Sequence, residues 1–386
     1  MKKEIRLAIA VLAVAISFGL NIVGISPVLG LVAEKYSGYS TDVIQLLQTL
    51  PYAFLIVGAL MVGWLTTKFS KKSIVLAGLA IIGICGITPF FFDSFLVLFI
   101  SRLIIGYGFG IVGPMVNAVI SEAMEPRFRR KYLGLHVVGM GIGGMAGNLI
   151  GANLAGRGLR YFYLVYLMAF INILIVTVFL DKTPAASGVK TSEMKLGGMV
   201  YVISAASFLH TMFITAYSTN ISMYITQSIK GGPDAAGIAT AVNAAFAMLV
   251  GIFFTQISGM LKRAALPFSF FIAAAGYAAL YFIPGMPGVL ITSALCGVSL
   301  SCFTAMGSYL IGVSVKPEAV AKASGVFSII GSIGGLIAPL SLGAFSSAIG
   351  ENTPSCQFSI AFFGMLAVGF LVMIPIKRKF GETASV

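Results

Sequence analysis

Asp181-Lys182-Thr183-Pro184-Ala185-Ala186-Ser187-Gly188-Val189-Lys190-Thr191-Ser192-Glu193-Met194-Lys195 is a polar stretch set between two long apolar territories. Upstream of it, apolar runs bounded by charge or Gly/Pro clusters fall at about Ile5 to Leu31, Val43 to Thr66, Ser73 to Phe92, Phe95 to Val119, Tyr132 to Ala155 and Tyr161 to Leu180. Downstream, six more fall at about Gly197 to Tyr224, Ala235 to Gly259, Ala264 to Ile283, Gly288 to Val313, Ala319 to Phe345 and Phe358 to Ile376. A bilayer-spanning helix needs roughly 20 apolar residues, so the pattern predicts an all-α integral membrane protein with twelve transmembrane helices, numbered here 1 to 12. The polar stretch divides them into bundles at 1–180 and 197–386, joined by a linker at 181–196.

Composition excludes most alternatives. Of 386 residues, 58% are hydrophobic and 10% charged, and mean hydropathy is +1.01, too apolar for a water-soluble enzyme of this length. Cys85, Cys296, Cys302 and Cys356 lie in or beside apolar runs with no metal-ligand spacing. No metal site and no cofactor are expected, and no G-x-x-x-x-G-K-[ST] nucleotide loop occurs. The net charge of +13 sits in the segments between apolar runs, which points to a bilayer and not to nucleic acid. Twenty of the 25 Lys and Arg fall on one side of the membrane. Lys35, Arg157, Arg160 and Lys230 fall on the other, and Arg102 alone lies within a span. Basic loops stay inside, so both termini are expected in the cytoplasm and the protein in the cytoplasmic membrane. The first run has no small-residue cleavage site and is expected to remain as helix 1.

The second half repeats the first. A shift of 191 residues lays Lys131, Gly134, Ile142, Gly143 and Gly144 of helix 5 on Lys322, Gly325, Ile333, Gly334 and Gly335 of helix 11, and Gly106 of helix 4 on Gly297 of helix 10. Paired repeats of this kind build many secondary transporters, with the substrate held between them. Gly24 to Pro27 and Ala338-Pro339 are expected bend points. Helix 5 carries Gly139, Gly143, Gly147 and Gly151, a small-residue row that lets a neighbouring helix approach closely.

Between helices 2 and 3 stands Gly63-Trp64-Leu65-Thr66-Thr67-Lys68-Phe69-Ser70-Lys71-Lys72, similar to the G-x-L-a-D-R-x-G-R-K signature of the major facilitator superfamily. Helix 4 carries Arg102-Leu103-Ile104-Ile105-Gly106-Tyr107-Gly108, similar to the family's R-x-x-x-G-x-G pattern, and Gly259-Met260-Leu261-Lys262-Arg263 echoes the loop after helix 8. The chain resembles the compact twelve-helix drug and metabolite exporters of that family. The resemblance implies a conformational motif at Gly63, Leu65, Thr67, Lys68, Lys71 and Lys72. Thr67 stands where the family has Asp, and Ser70 where it has Gly. The antiporter pattern G-x-x-x-G-P is incomplete in helix 5, where Met140 and Asn148 follow the relevant glycines.

The spans offer few charges. The 12 acidic residues all fall in loops, tails or helix ends. Arg102, about seven residues into helix 4, reads as an anion contact, an electrostatic partner for a proton site, or a structural Arg bonded to carbonyls. His210 shares a face with Phe213, Tyr217, Asn220 and Tyr224 and is the proton-coupling candidate, against the alternative of a neutral packed His. Gln45, Gln48, Thr49 and Tyr52 form a polar face on helix 2. Asn21, Asn148 and Asn243 are single amides that need partners inside the bilayer. The substrate-contact set is therefore Asn21, Gln48, Tyr52, Arg102, Asn148, His210, Tyr217, Asn243 and Phe303. The functional reading is a secondary transporter that moves a small apolar or amphipathic solute, by efflux, through alternating access, with protons as candidate co-substrate. The alternative is carriage of an organic anion, or uniport, with Arg102 as counter-charge; a non-transporting receptor is the remote one. A monomer is expected.

Overall fold

The computed structural model describes residues 3–123, 126–181, 196–261, 264–315 and 320–380, which are predominantly helical and contain no strand. Helix 1 is Lys3–Val23, continued beyond a break by a 3-10 turn Ser26–Val28 and a short helix Leu29–Lys35. Helices 2 to 6 are Thr41–Lys68, Lys71–Phe91, Phe95–Ala123, Pro126–Ala155 and Leu159–Phe179. Helices 7 to 12 are Gly198–Ile229, Pro233–Ile252, Ala265–Phe282, Met286–Ser314, Val320–Ile349 and Pro354–Phe380. Eleven of these are long and apolar enough to cross a membrane, and the apolar 21-residue helix 1 makes the twelfth. The linker at 181–196 lies almost wholly outside the described residues.

Local chemistry sets the helix ends. Ser70 caps helix 3 by accepting from the Ser73 backbone N–H at 3.2 Å. Pro233 opens helix 8 in its first turn, where a missing N–H costs nothing. Helix 7 ends in a π-turn, Ile225–Ile229, closed by left-handed Lys230 (φ 60°). Helix 1 breaks at Gly24, whose φ of +55° favours glycine. Helix 11, by contrast, continues through Pro339.

The repeat is visible in the packing. Helix 1 lies on helix 5 as helix 7 lies on helix 11; helices 2 and 4 pack as 8 and 10 do, and 3 and 6 as 9 and 12 do. The matched glycines do the same work in each half. A Cβ on Gly143 would meet the Ile16 backbone carbon at 2.7 Å, and one on Gly334 the Phe208 backbone carbon at 2.9 Å. Likewise Gly106 faces the Pro51 backbone at 2.7 Å and Gly297 that of Asn243 at 3.0 Å. The Gly139, Gly143, Gly147 row of helix 5 meets Leu12, Ala15, Ile16 and Leu20 of helix 1, which makes it a packing surface.

Two apolar cores result, one drawn from residues between Leu7 and Leu180 with Met223 added, the other from Met199 to Val368. Large apolar side chains cover the outside, among them Leu60, Phe91, Leu174 and Phe363, each about two-thirds exposed. In water that surface would cost far too much; in a bilayer it is solvated by lipid tails.

Candidate functional site

Helix 1 begins and helix 12 ends at one end of the bundle, called here the termini end; the other is the distal end. Six side-chain hydrogen bonds join the two halves among the described residues, and all six lie toward the distal end. Ser26 Oγ donates to Ser218 O, Ser222 Oγ donates to Pro27 O, and Gly30 N donates to Ser222 Oγ. Thr49 Oγ1 reaches Leu336 O at 3.4 Å, Gln45 Nε2 donates to Asn220 Oδ1 at 2.7 Å, and Asn352 Nδ2 donates to Asp42 Oδ1 at 2.8 Å.

The last two close a ring. From Asn220 the bonds run to Gln357 Oε1 (2.9 Å), from Gln357 to Asn352 Oδ1 (2.8 Å), and from Asn352 to the Asp42 carboxylate, one helical turn from Gln45. Gln45 Oε1 is buried without a donor, and each amide after Gln45 accepts from the one before and donates to the next group, so the dipoles align toward the negative end. Along helices 2 and 11 the seam changes character. A Cβ on Gly335 would meet the Tyr52 ring at 2.9 Å, and Gly343 lies against Asp42, yet at the termini end a Cβ on Gly63 or Gly325 meets nothing within 4 Å. The halves are closed distally and apart between helices 2 and 11 near the termini.

Beneath the distal seam sits Arg102, 1% exposed. Its Nε donates to Leu47 O of helix 2 at 3.1 Å and its Nη1 to Tyr166 Oη of helix 6 at 2.8 Å. Its Nη2 is buried with no partner and points at the helix 1 break, 2.6 Å from where a Cβ on Gly24 would stand. Gln48 fixes that break by accepting from Ile25 N at 3.0 Å. The ion pairs among the described residues are Arg6 with Asp181 and Lys35 with Asp93, so Arg102 carries its charge without a counter-ion. Asn148 of helix 5 is also fully buried, with both amide atoms unpartnered, and helix 5 packs against the same 3-10 turn.

In the second half most buried polar side chains are paired, with Ser204 Oγ and His210 Nδ1 the exceptions among the described residues. Ser293 Oγ gives its proton to Val289 O, so Tyr217 Oη donates to Ser293 Oγ at 2.8 Å with Ala239 O 3.1 Å away, and Asn243 Nδ2 donates to Ser293 O at 3.0 Å. His210 is fully buried, stacked on Phe303 with ring centroids 4.0 Å apart. Ser299 Oγ gives its one proton to Ser269 O, so at 3.0 Å it accepts from His210 Nε2, which leaves the His210 Nδ1 lone pair bare and unpartnered. Asn21 lies in helix 1, and its side chain lies outside the described residues.

At the termini end, Thr67 turns its hydroxyl back to Trp64 O at 2.7 Å, Leu65 O accepts from Phe69 N, Lys68 lies over the Trp64 ring and Lys72 bonds Thr177 O. Lys71 is buried there, and Gly63 is exposed. Outside the spans, burial and the neighbouring Asp93 carboxylate push the Tyr36 phenol up to about 12. Lys35 holds Asp93 below the usual carboxylate range. Sequence reasoning did not find Tyr166, Asn352 or Gln357; the one available signal was that Gln357 matches Tyr166 under the repeat shift.

Two six-helix repeats meeting across a central seam define a polytopic membrane transporter. The family model for the Major Facilitator Superfamily matches residues 7–200 and 203–383, and the chain belongs to that superfamily. It is thus a transporter of small organic solutes and not an enzyme. Over 340 residues it is 24% identical to the 3-(3-hydroxy-phenyl)propionate transporter of Escherichia coli (strain K12), covering 84% of this chain and 82% of that one. The fold is similar to the crystal structure of the POT family transporter PepTSo, with a TM-score of 0.77 at 12% identity, covering 98% and 99% of the two chains. It is also similar to the human organic anion transporter MFSD10 (TETRAN), with a TM-score of 0.70 at 15% identity over 96% and 100%.

Proposed function

We propose that this protein carries small organic acids with an apolar or aromatic body across the cytoplasmic membrane, with both termini in the cytoplasm and the distal end outside. One observation carries the reading: a fully buried guanidinium with one nitrogen unsatisfied and no counter-ion. Burying an ion costs several kcal/mol, of which each bond to a neutral acceptor returns only about 1.5–3. A carboxylate on Nη2 would supply both the missing bond and the missing charge, and Arg is the side chain best shaped for it. The sequence relative that carries an arylpropionate supports the same class.

Residues 1–180 and 197–386 rock against each other as two bodies about the linker, and the distal closure corresponds to the inward-facing state. The segment Ile25–Lys35 is bonded to both halves, through Ile25 to Gln48 and through Ser26, Pro27 and Gly30 to helix 7. Opening the distal seam breaks its helix 7 bonds, frees the turn at Gly24 and uncovers Arg102 Nη2. Asn148 and Gln48 flank the opened space as polar contacts.

The competing reading is export of an uncharged amphipathic solute through Tyr52, His210, Tyr217, Asn243 and Phe303. Several of those polar groups are already committed to interhelical bonds, which favours the anion. Flux into sealed vesicles containing the purified chain separates the two. 3-Phenylpropionate and 3-(3-hydroxyphenyl)propionate should move and 3-phenylpropan-1-ol should not compete; equal competition by the alcohol would favour the neutral cargo. Running the assay in both directions tests efflux against uptake.

A further inference from the structure

A cavity lies at the distal face, apart from Arg102. It has a volume of about 270 Å³, near the lower end of small-ligand sites, and its walls come from both halves of the protein. The first half supplies Glu34, Ser37 and Tyr39, and the second supplies Met223, Thr226 and Gln227 from the end of helix 7 and its π-turn. Such π-turns recur at functional sites. The bond from Gly30 N to Ser222 Oγ forms part of the seam at its edge, and Gly30 itself lines it.

The chemistry of the lining is one-sided. Glu34 is its single charged group, and it makes no ion pair among the described residues. The adjacent Lys35 is turned away to Asp93, where Tyr36 also donates its hydroxyl. Tyr39 is held by stacking on Phe95, centroids 3.9 Å apart and planes at 17°, which fixes an aromatic wall beside the carboxylate. Met223 and Ile44 provide apolar floor, and Thr226 and Gln227 provide acceptors on the opposite side. A carboxylate, a rigid aromatic ring and hydroxyl or amide oxygens around an apolar floor match an organic ammonium ion.

We propose that this cavity binds small aryl- or alkylammonium ions from the distal side and that such a ligand holds the distal seam closed. The coupling follows from geometry. The cavity exists only while the two halves are together, so a ligand that bridges them binds the closed form and draws the population toward it. It therefore slows transport, opposing the transported acid through the seam equilibrium and not at a shared site. By the same linkage, weakening the seam weakens the ligand.

The test uses the full chain, purified in detergent and in sealed vesicles, with 2-phenylethylammonium as probe. Titration followed by calorimetry should show saturable binding, at least about tenfold weaker for Glu34→Gln, for Tyr39→Ala and for the neutral analogue 2-phenylethanol. Binding should be unchanged in Arg102→Met, which separates this cavity from the proposed acid site. Added on the distal side, the probe should slow acid entry from that side and raise the apparent KM of the acid, and Glu34→Gln should transport normally while losing that inhibition. No saturable binding to the wild-type chain, equal binding of 2-phenylethanol, unaltered binding by Glu34→Gln, or loss of binding in Arg102→Met would each overturn the proposal.

Discussion

Arg102 in helix 4 and Ser293 in helix 10 occupy the same register of the two repeats, four residues before Gly106 and Gly297. Both are buried where three helices of their half converge, and both bond to the neighbouring elements. The Ser293 hub is neutral and closed: its hydroxyl donates to Val289 O and accepts from Tyr217, whose hydroxyl also reaches Ala239 O. The Arg102 hub is charged and open, with a donor to spare at a helix break that helix 7 does not share. One scaffold position thus holds the second half together and leaves the first half able to bind.

The largest expected effect breaks that comparison at its charged member. Arg102→Met should lower acid flux at least about 100-fold, equivalent to roughly 2.8 kcal/mol. Thermal stability should stay level or rise, because an unpaired buried ion is replaced by an apolar side chain of similar length. A purely structural Arg predicts the reverse, a marked loss of stability.

Next comes the amide ring. Asn220→Ala removes the partners of Gln45 Nε2 and Gln357 Oε1, at about 1–3 kcal/mol each, and of the two the Gln45 bond, which joins the halves, is lost from the distally closed form alone. The expected outcome is a shift toward the distally open state, read as faster labelling of a cysteine placed at Ser26 from the distal side. His210→Ala should cost about 2 kcal/mol of stability through its lost contacts with Phe303 and Phe270. It should keep the response of flux to an imposed pH gradient; loss of that response would make His210 the proton site.

Tyr217→Phe, at the neutral hub, should cost about 1 kcal/mol in thermal unfolding and leave cargo discrimination intact. The smallest effect belongs to Asp93, an exposed group whose carboxyl is held low by Lys35. A lowered folded-state value contributes stability above the ordinary carboxylate range and loses it as pH falls through the folded value. Asp93→Asn should therefore cost well under ~1 kcal/mol at pH 7, and the difference from wild type should vanish in acid.

Much of the fold was legible in the sequence because its signals are local. Apolar run length gave the helices, charge at their ends gave the boundaries, and the break after Gly24 was signalled by glycine and proline. The repeat was legible because Gly106 and Gly297, or Gly143 and Gly334, each face a backbone that admits no larger side chain. The site was only half legible. That Gln45, Gln48, Thr49 and Tyr52 share one face follows from helical period, but which element they meet does not. Gln48 turned out to hold the helix 1 break, Gln45 and Thr49 to bond helices 7 and 11, and Tyr52 to pack on Gly335. Likewise nothing in the spacing of Arg102 and Tyr166, 64 residues apart, announces their bond. Asn148 and Asn243 read alike as single amides, and only packing makes one an orphan and the other an interhelical tie.

Equilibrium titration of purified protein with 3-phenylpropionate, run side by side on Arg102→Met and Ser293→Ala, tests the asymmetry of the two hubs most directly. Ser293→Ala should bind the acid as the wild-type chain does, while Arg102→Met should show no saturable binding. Acid binding that survives in Arg102→Met, or that both substitutions weaken equally, would contradict the assignment of the unpaired guanidinium to the cargo.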